Sequence, residues 1–510
     1  MLRALFYKDS APDGAKTREP DSRRRIDEAH ERVDEIRGII MTFATRWPAR
    51  VVFTAIVIWT NVLIEAAHGQ WANGLSTNED YFPVGVWLQR PEDAAQWRAA
   101  GVNLYAGLWQ GPTVSQLDVL RAAGMQAIAS QNSAGINYTE TLSNGSPVIV
   151  AWLADDEPDN AQPNGSGGYG PPIPTSNVQL AYQQHRTTDP TRPIFLNLSQ
   201  GIGWDSATWY GQGGHIIPAV DYPQYILGSD IISFDIYPMA SPDVQVTGGA
   251  WRVALGVDRL RQYAPTNHIV WCFIETSDIN GIGRQATVGQ IRSEVWMAII
   301  HGATGINYFI HGKTSVSDFD DRALLRPENA ARLAGVTAIN NELHSLAAIL
   351  KSGSVTGLVT MTNVVGTSPV DFMVKQRDGA TYLFAVGMRD STTTKQFQFQ
   401  SPSNALIEVV GENRALVLTK GSFTDTFNGY DAHLYRTPAG TNHLSIFVEP
   451  PNVVLSWSSV SGVFYTIQYK TNLDQTSWMT LSAVYGAGAT TTFTNARGPE
   501  ARRFYRVVAQ

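Results

Sequence analysis

Short apolar runs alternate with amphipathic stretches throughout residues 81–350, and this alternation constrains the fold more than any other feature. The run Val148–Ala154 is as continuously apolar as a strand that is buried on both faces. Most runs are followed by a helical pattern, and the first, Pro91–Ala100, begins with the Pro and acidic residues typical of a helix N-terminus. The predicted strands are Phe82–Leu88, Val102–Leu108, Met125–Ser130, Val148–Ala154, Ile194–Leu198, Ile231–Tyr237, His268–Glu275 and Thr304–Ile310.

Eight strand-then-helix units within residues 81–350 suit a (β/α)8 barrel, whose simplest members have about 250 residues. The competing fold, a doubly wound open sheet, normally carries a glycine-rich phosphate turn after its first strand, and this chain has none there. The sequence therefore predicts the α/β class and a TIM barrel. Residues 204–225, between strands five and six, resemble an aromatic loop. The remaining predicted helices are Val114–Ala123, Asn177–His185, Ala250–Tyr263, Val288–His301 and Pro327–Leu350.

After residue 350 the apolar pattern changes to a period of two, which predicts a β-sandwich over 351–440 and a small β module over 441–510. The segments 455–462, 465–473 and 503–507 resemble the fibronectin-type-III-like modules that end many exported bacterial proteins. That resemblance implies a spacer, or a weak attachment to a glycan or a surface. The predicted sandwich strands are Ser354–Met361, Asp371–Lys375, Thr381–Val386, Gln396–Phe399, Ala405–Val410 and Ala432–Tyr435.

The first 69 residues do not have the pattern of the barrel. Residues 1–40 form a charged N-terminal extension, and we take Met41 as the expected start of the natural chain. Residues 41–69 have a basic start, the apolar run Val51–Ile64 and a small-residue end, which is the pattern of a secretory signal peptide. An uncleaved membrane anchor is the alternative, although a spanning helix needs about 20 apolar residues. Either interpretation predicts a secreted or periplasmic protein.

Composition narrows the classes of function. A hydrophobic fraction of 43% beside 16% charged residues excludes a disordered chain, and a net charge of −7 argues against a nucleic-acid partner. The one cysteine, Cys272, excludes an internal disulfide and a cysteine-rich zinc site. A large exported protein without disulfides suggests a bacterial source. Cys272 alternates with Glu275 along its strand, so we expect it to pack between the strand and the helices.

Two glutamates occupy the strand ends where a (β/α)8 barrel places its chemistry. Glu157 follows strand four and Glu275 ends strand seven, each after a run of apolar residues. A carboxylate in such a position is costly unless it is hydrogen-bonded or used in catalysis. Three βα units separate the two residues, which predicts that they face each other across the barrel mouth. There, one carboxyl group can protonate a glycosidic oxygen while the other attacks the anomeric carbon.

These positions resemble those of clan A of the glycoside hydrolases, the 4/7 superfamily. The resemblance covers the barrel and implies that Glu157 is the general acid/base and Glu275 the nucleophile. It also implies net retention, a β-linked substrate and a hydrogen bond from Tyr237 to the nucleophile. The sequence departs from the clan at Asp156, where most members have Asn.

Further residues near the predicted strand ends are candidates for contact with the sugar. Where the clan has a Trp at the end of strand eight, this chain has Tyr308 and His311, and at the end of strand two it has Trp109 in place of an Arg nearby. Trp204 and Trp209 lie in a glycine-rich loop and suit sugar stacking. The residues expected to contact substrate are Tyr237, Asp235, Asp156, Trp109, Trp204, Trp209, Tyr308 and His311.

Structural roles compete with these assignments. Glu275 also suits a buried salt bridge, Glu157 also suits a solvated acidic loop or a cation site, and Asp235 also suits a hydrogen-bonding role at its strand end. The first strand lacks the His-x-His of metal-dependent barrel hydrolases, and no Gly-x-Ser-x-Gly motif lies on a strand–helix turn. No metal or organic cofactor is therefore expected.

The sequence as a whole predicts a secreted, retaining glycoside hydrolase that acts on a β-linked poly- or oligosaccharide, with a carbohydrate as its partner. The alternative is a non-catalytic glycan-binding or cell-surface protein on a barrel scaffold. The two differ in geometry, since the carboxyl groups of a retaining site lie about 5–5.5 Å apart.

Overall fold

The structure is a computed structural model that describes residues 71–166, 168–203, 208–210, 216–315, 318–400, 404–437, 444–459, 464–488, 490–500 and 502–509. The predictions for residues 1–40 and 41–69 lie outside the described residues, as does Trp204. Within the described ranges, no helix has both the length and the apolar character needed to cross a membrane.

Eight parallel strands close into a barrel, which confirms the predicted fold class. The seventh strand has two segments, of which Ile269–Val270 pairs with the sixth strand and Cys272–Glu275 with the eighth. Because these segments are the two ends of the hydrogen-bonded order, they close the sheet on itself. The strands are β1 Val84–Trp87, β2 Leu104–Ala106, β3 Gln126–Ser130, β4 Ile149–Asp156, β5 Ile194–Leu198, β6 Ile231–Phe234, β7 Ile269–Val270 with Cys272–Glu275, and β8 Ile306–Phe309.

Several strands end at other residues than predicted, and two of these differences, in β4 and β6, affect the barrel mouth. β4 continues to Asp156, two residues beyond the predicted end, where Asp156 pairs with Asn197 of β5. The side-chain amide of Asn197 donates to Asp156 Oδ1 at 3.1 Å, which holds the extension in register. β6 ends at Phe234, so that Asp235 and Tyr237 belong to the loop that follows it.

One helix follows each barrel strand. The main chain at the start of α2 and of α7 is satisfied by a capping box, formed by Thr113 with Gln116 and by Thr287 with Gln290. Between β5 and β6, the described residues include a short hairpin of Thr208–Tyr210 with Ile216–Pro218 and then a short helix. The helices are α1 Ala94–Ala99, α2 Val114–Ala122, α3 Ser133–Ile136, α4 Thr175–Thr188, α5 Tyr222–Ile226, α6 Trp251–Tyr263, α7 Val288–Ile300 and α8 Ala330–Ser345, with α9 Ala347–Lys351 at the end of the barrel.

Apolar side chains fill two layers because successive residues of a strand face opposite sides. Trp271 and Phe273 of β7 join the cluster inside the barrel. Cys272 and Ile274 join the larger cluster between the strands and the helices. The predicted packing of Cys272 is therefore confirmed.

A β-sandwich follows the barrel, with sheets in the orders β9-β12-β15 and β10-β11-β16-β13-β14. Phe397, Phe423 and Tyr435 pack in its core. Two of its strands, β14 (Arg414–Leu418) and β15 (Ser422–Phe427), were not predicted. The strands are β9 Val359–Val365, β10 Val370–Arg377, β11 Ala380–Gly387, β12 Thr393–Phe399, β13 Ala405–Val409, β14 Arg414–Leu418, β15 Ser422–Phe427 and β16 Ala432–Thr437.

A smaller β module completes the described chain, with two three-stranded sheets in the orders β17-β18-β21 and β20-β19-β22. Its core contains Leu455, Trp457 and Ile467. The edge strand β17 was not predicted. The strands are β17 Ser445–Glu449, β18 Asn452–Ser458, β19 Phe464–Lys470, β20 Met479–Tyr485, β21 Thr490–Ala496 and β22 Phe504–Ala509.

Helix α7 lies between the barrel and the sandwich. Trp296 stacks on Phe384 with ring centroids 5.2 Å apart, and Arg292 donates to the carbonyl oxygen of Ala432 at 2.6 Å. Its opposite side packs on β7 and contributes Ile291, Val295 and other apolar residues to the barrel core. A side chain on α7 can therefore reach the carboxyl end of β7 from outside the barrel.

Candidate active site

The carboxyl ends of β4 and β6 bring Glu157 and Asp235 together. Glu157 lies one residue after β4 with a φ of 47°, in the left-handed region, and strain of this kind clusters at functional sites. Its main-chain N–H donates to the carbonyl of Asn197, and Asn160 Nδ2 donates to its Oε2 at 3.1 Å. The carboxyl groups of Glu157 and Asp235 are in hydrogen-bond contact. Since two carboxylates have only acceptors, this contact requires that the pair carry a proton.

The surroundings of Asp235 favour its protonated form. Burial raises the pKa of the Asp235 carboxyl well above its usual range, and the negative charges of Glu157 and Asp156 raise it further. Tyr237 donates its hydroxyl to Asp235 Oδ2 at 3.0 Å, which only partly opposes this rise in pKa. The predicted hydrogen bond from Tyr237 to Glu275 is therefore wrong, because the loop after β6 directs Tyr237 to its own neighbour Asp235.

A polar network extends from this pair across three strands. Asp156 accepts from Asn197 of β5, and Asn197 Oδ1 in turn accepts from the hydroxyl of Ser233 on β6 at 2.8 Å. The ring of Tyr237 lies against Phe309 of β8 with centroids 5.0 Å apart. The predicted site residues Asp156, Glu157, Asp235 and Tyr237 thus lie in one cluster at the mouth.

Glu275 ends β7 in a more enclosed setting. The residue is 1% exposed, and its two carboxyl oxygens accept from the main-chain N–H groups of Met239 at 2.7 Å and Ala240 at 2.9 Å. Burial raises the pKa of Glu275 to about 7, against the opposing effect of these two donors. Its polar partners include these two N–H groups and the carboxyl of Glu294.

Glu294 is the site residue that the sequence analysis missed. It lies on α7 and is fully buried, and its carboxyl is in hydrogen-bond contact with that of Glu275. The signal was a single acidic residue immediately before the continuous apolar run 295–300. The predicted carboxyl groups lie at strand ends and in the loops after them, whereas Glu294 reaches the site from a helix.

Two of the predicted substrate contacts lie inside the protein. Tyr308 is 0% exposed and faces the helices, where its hydroxyl donates to Asn340 Oδ1 of α8 at 2.9 Å. Its position in the barrel wall leaves no surface for a ligand, so this expectation is corrected. His311 is 3% exposed, with its Nε2 at 3.2 Å from the carbonyl oxygen of Trp87, and burial lowers its pKa.

The predicted aromatic platforms are only partly described. Trp109 is half-buried in the loop after β2, and its carbonyl oxygen accepts from Gln116. Trp209 belongs to the hairpin after β5, and Trp204 lies outside the described residues. Within the parts of the chain that are described, no group of three or more His, Cys, Asp or Glu residues is arranged to hold a metal ion.

Neither a protein-family model nor a curated protein matches the sequence. Among solved structures, an α-amylase from Geobacillus thermoleovorans complexed with acarbose aligns with 71% of this chain and 99% of its own, at 11% identity and a TM-score of 0.42. α-Galactosidase I from Mortierella vinacea aligns with 72% of this chain and 98% of its own, at 10% identity and a TM-score of 0.41. A GH30 endoxylanase from Clostridium papyrosolvens aligns with 70% of this chain and 95% of its own, at 11% identity and a TM-score of 0.37. At these values the likenesses support no conclusion about function.

Proposed function

We propose that the protein is a glycoside hydrolase with its active site at the mouth of the barrel. The observation that carries this proposal is the contact between Glu157 and Asp235 at the barrel mouth, where burial and the neighbouring carboxylates raise the pKa of Asp235 well above its usual range. Barrel enzymes place their chemistry at this end of the strands. Cleavage of a glycosidic bond needs a proton donor for the leaving oxygen and a second, ionised carboxyl group.

Glu157 is the proposed general acid/base. It is half-buried at the mouth, and the proton of the pair lies one hydrogen bond away from it on Asp235. Glu157 takes this proton from Asp235 and passes it to the glycosidic oxygen as the bond to the anomeric carbon breaks, which leaves both carboxyl groups of the pair ionised. In the second step it takes a proton from the water that attacks the same carbon, which restores the pair.

Glu275 is the proposed nucleophile. One of its oxygens forms an ester bond to the anomeric carbon as the leaving group departs, and water later breaks that bond with net retention of configuration. The N–H groups of Met239 and Ala240 favour its ionised form. Since Glu275 is 1% exposed, the proposal also requires the turn that carries Met239 and Ala240 to move when the sugar binds.

The finer parts of the proposal concern substrate and location. The positions of the two glutamates on strands four and seven support a β-linked poly- or oligosaccharide and a retaining mechanism, by resemblance to clan A. The signal-like pattern of residues 41–69 supports a secreted or periplasmic enzyme.

Release of reducing sugar from a panel of plant and algal polysaccharides and aryl β-glycosides tests the proposal. We expect the wild type to act on at least one substrate and to form first the β-anomer, which proton NMR detects during the reaction. Glu157→Gln and Glu275→Gln are compared with Glu140→Gln, a change at an exposed acid before β4 that should leave activity intact. Inversion would exclude the retaining mechanism. Binding to polysaccharides in affinity electrophoresis without any hydrolysis would favour the non-catalytic alternative.

A further inference from the structure

A second carboxyl group is buried beside the proposed nucleophile. Glu294 lies in the middle of α7, which packs its apolar face on β7. The residue is 0% exposed, and among the described residues neither of its buried carboxyl oxygens has a hydrogen bond of good geometry; the main-chain N–H of Glu275 only weakly opposes the effect of burial on its pKa. A buried carboxylate that lacks a donor is strongly disfavoured, so a proton on Glu294 removes most of this cost.

No positive charge compensates Glu294 among the titratable groups that face it. From β7 these groups are Glu275 and the thiol of Cys272, and from the sandwich the group is Tyr430. The hydroxyl of Tyr430 already donates to the carbonyl oxygen of Gly248. An ionised Glu294 would therefore meet a second carboxyl group in a buried site, and both the burial and the neighbouring carboxyl disfavour an added negative charge.

The two carboxyl groups differ in the donors that surround them. Glu275 accepts two main-chain N–H bonds, from Met239 and Ala240. Glu294 accepts none that meets the same geometry, and its contact with Glu275 becomes a hydrogen bond only if one of the two carries a proton. The donors thus place the negative charge on Glu275 and the proton on Glu294.

We infer that Glu294 is a protonated positioning residue that donates its carboxyl O–H to the Glu275 carboxylate. With Met239 and Ala240 it completes a set of three donors, which fixes the orientation of Glu275 and keeps the charge on the carboxylate. The location of the proton is independent of the enzyme's function; only its catalytic consequence rests on the proposed role of Glu275.

Difference infrared spectroscopy tests the location of the proton without any assay of activity. At a pH of about 8.5, a carboxyl group with a pKa of about 7 is ionised. We expect the carbonyl band of a buried, protonated carboxyl to disappear in Glu294→Gln and to persist in Glu275→Gln. Asp235 is unchanged in both variants, so its contribution to the two spectra is the same and cancels. Loss of the band in Glu275→Gln and its persistence in Glu294→Gln would place the proton on Glu275 and overturn the inference.

Kinetics then test the positioning role. Glu294→Gln keeps a neutral donor, so kcat/KM should stay within about 3-fold of the wild type and the acid limb of the pH profile should not move. Glu294→Leu removes the donor, so kcat/KM at neutral pH should fall by about 10- to 100-fold, the effect typical of a lost charge-assisted hydrogen bond. The acid limb should move to higher pH, with partial recovery of activity in alkali.

Ser293→Ala is the matched control for these variants. Ser293 precedes Glu294 on α7, and its hydroxyl contacts the carbonyl oxygen of Tyr430, so the variant disturbs the same contact with the sandwich. Activity should remain near that of the wild type. An acid limb that moves to lower pH in Glu294→Gln would show that Glu294 is ionised in the wild type and would overturn the inference. A wild type without activity would remove the proposed function, while the infrared result would still stand.

Discussion

The protein contains two carboxyl pairs that differ in what surrounds them. Glu157 and Asp235 lie at the mouth, both half-buried, and side chains supply their partners: the amide of Asn160 and the hydroxyl of Tyr237. Glu275 and Glu294 are enclosed, and the main chain supplies the donors to Glu275. A half-buried pair with side-chain partners can exchange its proton with substrate and water. An enclosed pair with main-chain donors to one member keeps the negative charge on that member, here Glu275.

This difference corresponds to the two tasks of a retaining glycosidase. The acid/base must change its protonation state twice in each catalytic cycle, whereas the nucleophile must be ionised whenever substrate arrives. In both pairs, burial raises the pKa of one carboxyl group well above its usual range: Asp235 at the mouth and Glu294 behind β7. Substitution of one member of each pair tests whether the two pairs have these separate roles.

The largest effect is expected from Glu275→Gln. Loss of the nucleophile should lower kcat by several orders of magnitude, since the glycosyl ester can no longer form. Steady-state kinetics on the best aryl glycoside of the panel measure this, with Asp235→Asn in parallel. Full activity in Glu275→Gln, together with a loss of several orders of magnitude in Asp235→Asn, would contradict this expectation. The second catalytic carboxyl would then belong to the mouth pair.

A somewhat smaller and more selective effect is expected from Glu157→Gln. Removal of a general acid should slow cleavage by about 10²- to 10⁴-fold for poor leaving groups. Aryl glycosides with acidic phenols leave without protonation and should lose much less at the first step. A plot of log kcat/KM against the pKa of the leaving group measures the dependence. A uniform loss across the series would instead indicate a role in binding.

The positions of these residues along the chain were predictable because strand-end residues follow from the apolar runs. Their partners were not. Tyr237 was expected to meet Glu275, but β6 ends at Phe234 and the loop that follows directs Tyr237 to Asp235. The apolar pattern of a strand does not indicate the residue at which the strand leaves the sheet.

The barrel wall shows a second limit of the sequence. Tyr308 and Phe309 are adjacent aromatic residues in β8, and alternation requires one to face the helices and the other the interior. Both side chains are apolar enough for either layer, so the sequence alone does not distinguish them. In the structure Tyr308 faces outward because Asn340 of α8 accepts its hydroxyl. That contact joins residues 32 apart, which no local pattern encodes.

The pH dependence of stability distinguishes the two proton-holding carboxyls. A carboxyl whose pKa is raised in the folded state contributes stability below its unfolded pKa of about 4 that is lost as the pH rises. Both Asp235 and Glu294 have this sign. At pH 7 we therefore expect the free energy of unfolding of Glu294→Gln to exceed that of the wild type by about 1–3 kcal/mol. The variant should accordingly unfold at a higher denaturant concentration.

Asp235→Asn should gain less stability than Glu294→Gln, since Asp235 is half-buried and accepts the hydroxyl of Tyr237. Urea unfolding from pH 4 to pH 8 measures both variants against the wild type, and the three curves should converge near pH 4. A wild type whose stability rises with pH relative to Glu294→Gln would show that Glu294 is ionised in the folded protein.

The smallest effect is expected from Tyr237→Phe, which removes a side-chain donor from the mouth pair and leaves the enclosed pair unchanged. The variant loses the bond to Asp235 Oδ2, so stability should fall by about 1 kcal/mol and kcat/KM by about 3- to 10-fold. Tyr182→Phe is the matched control, because Tyr182 donates to Asp230 Oδ1 at 2.9 Å at the other end of β6. Equal losses of stability with a loss of activity only in Tyr237→Phe would show that the bond acts on the pair. Equal losses of activity would mean that the mouth pair responds only to the stability of the barrel, and its side-chain partners would then have no separate role.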